Sequence, residues 1–86
     1  MNTYSITVLI SDGEPLAMET MRCIHAQSLF EAEQKATDVA RTWFGKPGEF
    51  HNGWYFHEKQ GLSVKIKEVS QTNATEFLQA HMVKAA

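Results

Sequence analysis

The chain has 86 residues and a mass of 9.7 kDa, which suffices for one small domain. Hydrophobic residues make up 43% of it, which excludes wholesale disorder, and eight basic against ten acidic side chains exclude a globally basic nucleic-acid binder. The longest aliphatic runs are three residues, whereas a membrane helix needs about 20. The sequence has one cysteine and does not begin with the charged and then apolar pattern of a signal peptide. We therefore expect a cytoplasmic protein without an intrachain disulfide.

The first predicted elements are two strands that form an antiparallel hairpin. Residues 4–10 alternate apolar and polar side chains, which is typical of a strand with one buried face. The apolar face comprises Tyr4, Ile6, Val8 and Ile10. Residues 11–15 contain Asp-Gly and a proline, which favour a turn. Residues 16–26 form a less regular strand, because their apolar side chains change parity, and we expect a bulge at residues 20–21.

The central predicted element is a helix. Ser28 and Glu31 have the spacing of a capping box, in which the serine side chain accepts a hydrogen bond from the amide of residue 31. Gly45 and Pro47 mark the end, because glycine favours the position after a helix and proline does not continue one. Apolar residues at helical spacing predict the face that packs on a sheet. They are Leu29, Ala32, Ala36, Val39, Ala40 and Trp43.

A second hairpin follows the helix. Residues 51–59 contain Trp-Tyr-Phe, residues 59–61 suit a turn, and residues 62–67 alternate apolar and polar side chains. Asn73 with Glu76 three residues later has the spacing of a cap, which predicts a last short helix.

This order of elements predicts an α+β fold: an antiparallel sheet of two hairpins (β-β-α-β-β) with one main helix packed on one face. Residues 1–72 form the single domain, and residues 73–86 form a C-terminal helical tail.

One helix covers one sheet face and leaves the other in need of cover. If Trp54 and Phe56 face the helix, then Tyr55 and His57 lie on this second face. The C-terminal tail carries too narrow an apolar stripe to shield it, so we favour a second copy and expect a homodimer.

A cysteine and three histidines are the candidate group for catalysis or metal binding. Its members are Cys23, His25, His51 and His57, with Glu58 beside them. No zinc spacing such as CxxC or HExxH is present, and a strand rise of about 3.3 Å per residue keeps Cys23 too far from His25 for a thiol–imidazole pair. We interpret the cysteine as a small buried side chain and the histidines as surface residues, and expect no metal, no cofactor and no enzymatic activity.

Two surfaces are candidates for function. Residues 1–50 hold seven acidic and four basic side chains, so the first hairpin and the helix suit a basic protein surface. The predicted partner-binding residues are Asp12, Glu14, Glu31, Gln34, Lys35, Asp38 and Arg41. The alternative is a nucleic-acid-binding or regulatory module, in which lysines and aromatic rings on one sheet face clamp a single strand. Its residues are Trp54, Tyr55, Lys59, Lys65 and Lys67.

The junction Ile-His-Ala-Gln-Ser-Leu-Phe-Glu-Ala at residues 24–32 resembles small proteins of phages and mobile elements. Some type I anti-CRISPR inhibitors are similar in their β-β-α-β-β order, here over residues 4–69, and HicB-type antitoxins have a similar helix entry. The resemblance implies a non-enzymatic, stoichiometric inhibitor that blocks the surface of a host protein or nucleoprotein complex, with no membrane partner. No functional residue carries over by position.

Overall fold

The structure, a computed structural model, describes residues 1–13 and 17–72. In these ranges the chain forms five strands and one helix. They are β1 (Asn2–Ser11), β2 (Met18–Ala26), α1 (Leu29–Arg41), β3 (Glu49–His51), β4 (Trp54–His57) and β5 (Leu62–Thr72). The predicted α+β class is confirmed, since α1 packs on an antiparallel sheet. The predicted last helix and tail at residues 73–86 lie outside the described residues.

The sheet has the strand order β2-β1-β5-β4-β3, and each neighbouring pair is antiparallel. The two predicted hairpins are present as β1–β2 and β4–β5. The predicted bounds of the strand at residues 51–59 are wrong, because a turn divides this segment into the end of β3 and all of β4. β3 is therefore an additional strand that the sequence analysis did not predict. It joins β4 through Asn52 and Gly53, whose φ angles of +50° and +84° fit the tight two-residue turn that Asn-Gly favours.

The core lies between α1 and the sheet. The side chains that β1 directs toward α1 are the four that its alternation predicted, and each is at most 8% exposed. They are Tyr4, Ile6, Val8 and Ile10. Val64 on β5 is also fully buried, while α1 contributes Ala32, Ala36 and Ala40, whose small size lets the helix approach the strands closely. Leu29, which the spacing placed on this buried stripe, is instead 49% exposed at the start of the helix.

The ends of α1 follow the predicted signals. The hydroxyl of Ser28 accepts a hydrogen bond from the amide of Glu31 at 3.1 Å, as an N-cap does. After the helix, the amide of Gly45 donates to the carbonyl of Thr42 at 2.9 Å, and its φ of +92° is one that glycine adopts without strain. The helix therefore has fixed ends on both sides.

The predicted bulge at residues 20–21 is wrong. β2 pairs with β1 without a break in register from Asn2↔Ala26 to Ile10↔Met18. Its apolar side chains are therefore divided between the two faces of the sheet. The irregularity lies instead between β1 and β5, where the partner changes from Glu68 to Ile66 and leaves Lys67 as the extra residue.

The orientation assumed for β4 is also wrong. Tyr55 pairs with the buried Val64, and His57 is 4% exposed, so both face α1. Trp54 and Phe56 therefore lie on the opposite side of the sheet, which we call the open face. Three consecutive aromatic residues carry no alternation, so the pairing with β5 decides which of them are buried. The homodimer, which rested on the reverse arrangement, stays a prediction.

Candidate functional site

Five of the predicted partner-binding residues lie on α1, away from the alanines that face the sheet. They are Glu31, Gln34, Lys35, Asp38 and Arg41. Four of them form ion pairs within the helix, with Lys35 Nζ 3.2 Å from Glu31 Oε1 and Arg41 Nη2 3.2 Å from Asp38 Oδ1. Exposed pairs of this kind stabilise a helix by only about 0.3–0.5 kcal/mol. The surface is thus mixed in charge and less acidic than residues 1–50 as a whole.

Lys35 has a second contact that helps to hold the helix in place. Its Nζ donates a hydrogen bond to the backbone carbonyl of His25 on β2 at 2.7 Å. Since Lys35 also pairs with Glu31, one side chain connects the edge strand to the outer surface of α1. This bond adds to the packing that fixes the orientation of the helix on the sheet.

Phe30 is an exposed aromatic side chain on α1 that the sequence analysis did not select. It is 71% exposed, although it lies in the first turn of a capped helix. Residues four, seven and eleven positions apart share one side of a helix, so Phe30 lies in line with polar residues farther along α1. We call this set the outer stripe; it comprises Phe30, Gln34, Thr37 and Arg41. One signal in the sequence was available, because Phe30 does not fit the apolar stripe of its own helix.

Asp12, in the turn after β1, does not lie next to the outer stripe. Asp12 is exposed and follows the C-terminal end of β1. The helix α1 begins after Ala26 of β2, and Ala26 pairs with Asn2 at the opposite end of β1. Glu14 lies outside the described residues.

The aromatic and basic residues of the alternative hypothesis are only partly together. Lys65 Nζ lies 5.6 Å from the centroid of the Trp54 ring on the open face, a cation–π contact. Tyr55 faces α1, and Lys59 lies in the turn between β4 and β5. Trp54, Lys65 and Lys67 thus remain as the nucleic-acid candidates on one face.

The charges on the open face do not favour a nucleic acid. Lys67 Nζ donates to Glu19 Oε1 at 2.6 Å, and this hydrogen bond, with the charge of Glu19 second, raises the pKa of Lys67 above its ordinary value of 10.5. Glu68 lies on the same side, opposite Thr7 of β1. A single strand needs a positively charged groove, and here carboxylates offset the ammonium groups.

The cysteine and histidines do not converge. Cys23 is exposed and His57 is buried, the reverse of the interpretation drawn from the sequence. Cys23 and His25 lie on the open face of β2, where His25 Nδ1 is 3.3 Å from Thr3 Oγ1, while His57 faces α1 from β4 and His51 lies on β3. Among residues 1–13 and 17–72, no group of three or more histidine, cysteine or acidic side chains is placed to hold a metal ion.

No family model, no curated protein and no solved structure matches the chain. The resemblance to phage-encoded inhibitors therefore stays a prediction. Within the described part of the chain, no helix has the length and apolar character needed to cross a membrane.

Proposed function

We propose that this protein is a non-enzymatic binding protein that blocks a surface of a protein or nucleoprotein partner through the outer stripe of α1. The observation that carries the proposal is Phe30, which is 71% exposed on a helix whose opposite side is packed on the sheet. A few aromatic side chains supply much of the energy of protein interfaces, and polar neighbours around them exclude water.

The way α1 is held supports this role. The cap at Ser28 and the bond from Lys35 to β2 hold the N-terminal half of the helix, in which Phe30 lies. Binding therefore does not require the helix to form or to reorient, and the ordering cost that flexible segments incur on association is small. An aromatic side chain on a helix that is held in place suits a protein that must occupy a surface tightly.

The charged residues around Phe30 suit orientation more than affinity. Gln34 is exposed, and the pairs Glu31–Lys35 and Asp38–Arg41 place both signs of charge along the helix. Exposed charges at the rim of an interface mainly change the association rate and the salt dependence of binding. The inhibitor that the resemblance implies would act in this way, by holding α1 over the surface that its partner uses for a substrate.

The experiment is a comparison of two exposed phenylalanines. Phe50 is the matched control, because it is 62% exposed on β3 and leans on the Tyr55 ring at a centroid distance of 5.0 Å. Tagged wild type, Phe30→Ala and Phe50→Ala are used for affinity purification from a lysate of the host at low salt, with quantitative mass spectrometry. We expect a protein that wild type and Phe50→Ala recover equally and that Phe30→Ala recovers at least tenfold less. Recovery of no protein, or equal recovery with Phe30→Ala, would contradict the proposal.

The nucleic-acid alternative rests on the contact between Lys65 and Trp54. Fluorescence anisotropy with single-stranded DNA and RNA oligonucleotides at low salt tests it. We expect no binding. Binding that weakens as salt rises, as counterion release requires, and that Lys65→Met abolishes would favour the alternative instead.

A further inference from the structure

A cavity of about 430 Å³ lies beyond the C-terminal end of α1, a size within the usual range for small-ligand sites. One wall is the loop from α1 to β3, with Phe44, Lys46 and Pro47, and the other is the turn from β4 to β5, with Glu58 and Lys59. His57, the buried polar residue of the core, also lines the cavity.

The loop wall is packed against the ring of His57. The Nε2 atom of His57 lies 3.1 Å from the carbonyl oxygen of Ala40. Because a carbonyl oxygen only accepts hydrogen bonds, Nε2 is the donor. The Phe44 ring meets the imidazole edge-on at a centroid distance of 5.1 Å. Gly48 approaches so closely that a Cβ atom there would lie 2.8 Å from His57 Cε1, and the Gly48 amide donates to the carbonyl of Arg41 at 2.7 Å. The loop therefore has a fixed position relative to the imidazole.

The turn wall is held by the backbone of the same residue. The carbonyl of His57 accepts hydrogen bonds from the amides of Gln60 at 3.2 Å and Gly61 at 2.9 Å. Gly61 has a φ of +66°, which other residues adopt with strain, so the turn is closed tightly. Both walls are thus anchored on His57, and the cavity is formed before any ligand enters.

The chemistry of the walls selects the ligand. Lys46 and Lys59 line the cavity, one from each wall, and neither forms an ion pair within the described ranges. Glu58 is the single carboxylate of the lining, so Lys46, Lys59 and Glu58 together contribute one net positive charge. Phe44 and Pro47 add apolar surface.

We propose that this cavity binds a small organic monocarboxylate. The carboxylate lies between Lys46 and Lys59, and an apolar or aromatic body packs on Phe44 and Pro47. Phe44 and Pro47 favour an organic carboxylate over inorganic phosphate, because phosphate has no apolar body to bury against them. The site is separate from the outer stripe of α1, so this proposal does not depend on the proposed protein-binding function.

Titration of the full chain with sodium benzoate, followed by ¹H–¹⁵N NMR, tests the site. We expect saturable shifts confined to the amides of the two walls, which are residues 44–46, 48 and 57–61. Benzamide, which has the same ring without the charge, is expected to bind at least tenfold more weakly, and so is inorganic phosphate. Equal shifts with benzamide or phosphate, or shifts that do not saturate, would overturn the proposal.

Substitutions of the two lysines assign the contacts. The double variant Lys46→Met/Lys59→Met is expected to weaken benzoate binding at least tenfold, whereas Lys65→Met on the open face leaves it unchanged. Lys46 and Lys59 are exposed, so the fold is expected to persist, and unchanged spectra outside the cavity verify it. Lys59→Glu alone reverses a charge and is expected to weaken binding more than Lys59→Met alone. Unchanged affinity in the double variant would overturn the proposal.

Discussion

The two sides of α1 have opposite chemistry. The side toward the sheet carries Ala32, Ala36 and Ala40, each at most 1% exposed, whereas the outer side carries Phe30 at 71% exposure. The smallest side chains therefore lie where the helix must approach the strands, and a large aromatic ring lies where it adds little to the core. The inner side therefore determines how stably the helix packs on the sheet, and the outer side is the one that we propose for recognition.

The largest expected effect comes from placing a leucine on each side of α1. Ala36→Leu forces four-carbon bulk into a fully buried site, and overpacking of this kind costs about 1–3 kcal/mol. Thr37→Leu, one residue later on the exposed side, is expected to change the free energy of unfolding by less than about 0.5 kcal/mol. Urea unfolding followed by tryptophan fluorescence measures both. Equal effects at the two positions would remove the distinction between the sides.

The next effect concerns the cap that holds the end of the helix near Phe30. Ser28→Ala removes the acceptor of the Glu31 amide, and loss of an N-cap costs about 1 kcal/mol. Ser28→Asp keeps an acceptor at the same position and serves as the control. The same urea experiment is expected to show a loss for alanine and near-wild-type stability for aspartate. If alanine is neutral, the cap does not hold this end of α1.

The smallest expected effect concerns an ion pair on the open face of the sheet, away from α1. On the open face, Glu19 raises the pKa of Lys67 above 10.5, so this pair stabilises the fold fully below that pH and loses its contribution as pH rises through the raised value. Glu19→Gln is expected to return the pKa of Lys67 toward 10.5. An NMR titration of the lysine side chains measures this, with Lys65, which contacts the Trp54 ring, as the internal reference. An identical Lys67 titration in both proteins would show that the pair does not persist in solution.

The fold class could be predicted because its signals are local. Each signal depends on a few neighbouring residues, and the structure has all three of them. They are the alternation along residues 4–10, the helix cap at Ser28 and the helix end marked by Gly45. β3 also has a local signal, because the Asn-Gly pair at residues 52–53 favours a tight turn between two strands.

The faces of β4 and the bulge at Lys67 depend on pairing between distant strands. Three adjacent aromatic residues give no parity, so the pairing of Tyr55 with Val64 settles their orientation. The change of parity between Ile66 and Val69 on β5 is visible in the sequence, but which neighbouring strand accommodates the extra residue is not.

The candidate sites show the same limit. Helical spacing correctly identified Gln34 and Asp38 as exposed, and the spacing of Glu31 and Lys35 is that of an ion pair. The burial of His57, in contrast, results from contacts with Phe44 and Gly48 in a loop that returns to the sheet, which no local pattern shows.

The most direct test of the central claim is photo-crosslinking from the outer stripe in living cells. p-Benzoylphenylalanine is placed at Phe30 in one variant and at Phe50, the other strongly exposed phenylalanine of the described residues, in a second. We expect a discrete crosslinked protein of higher mass from position 30 and none from position 50, with both variants as stable as wild type in urea. A crosslink from position 50 alone, or none from position 30, would contradict the assignment of recognition to the outer side of α1.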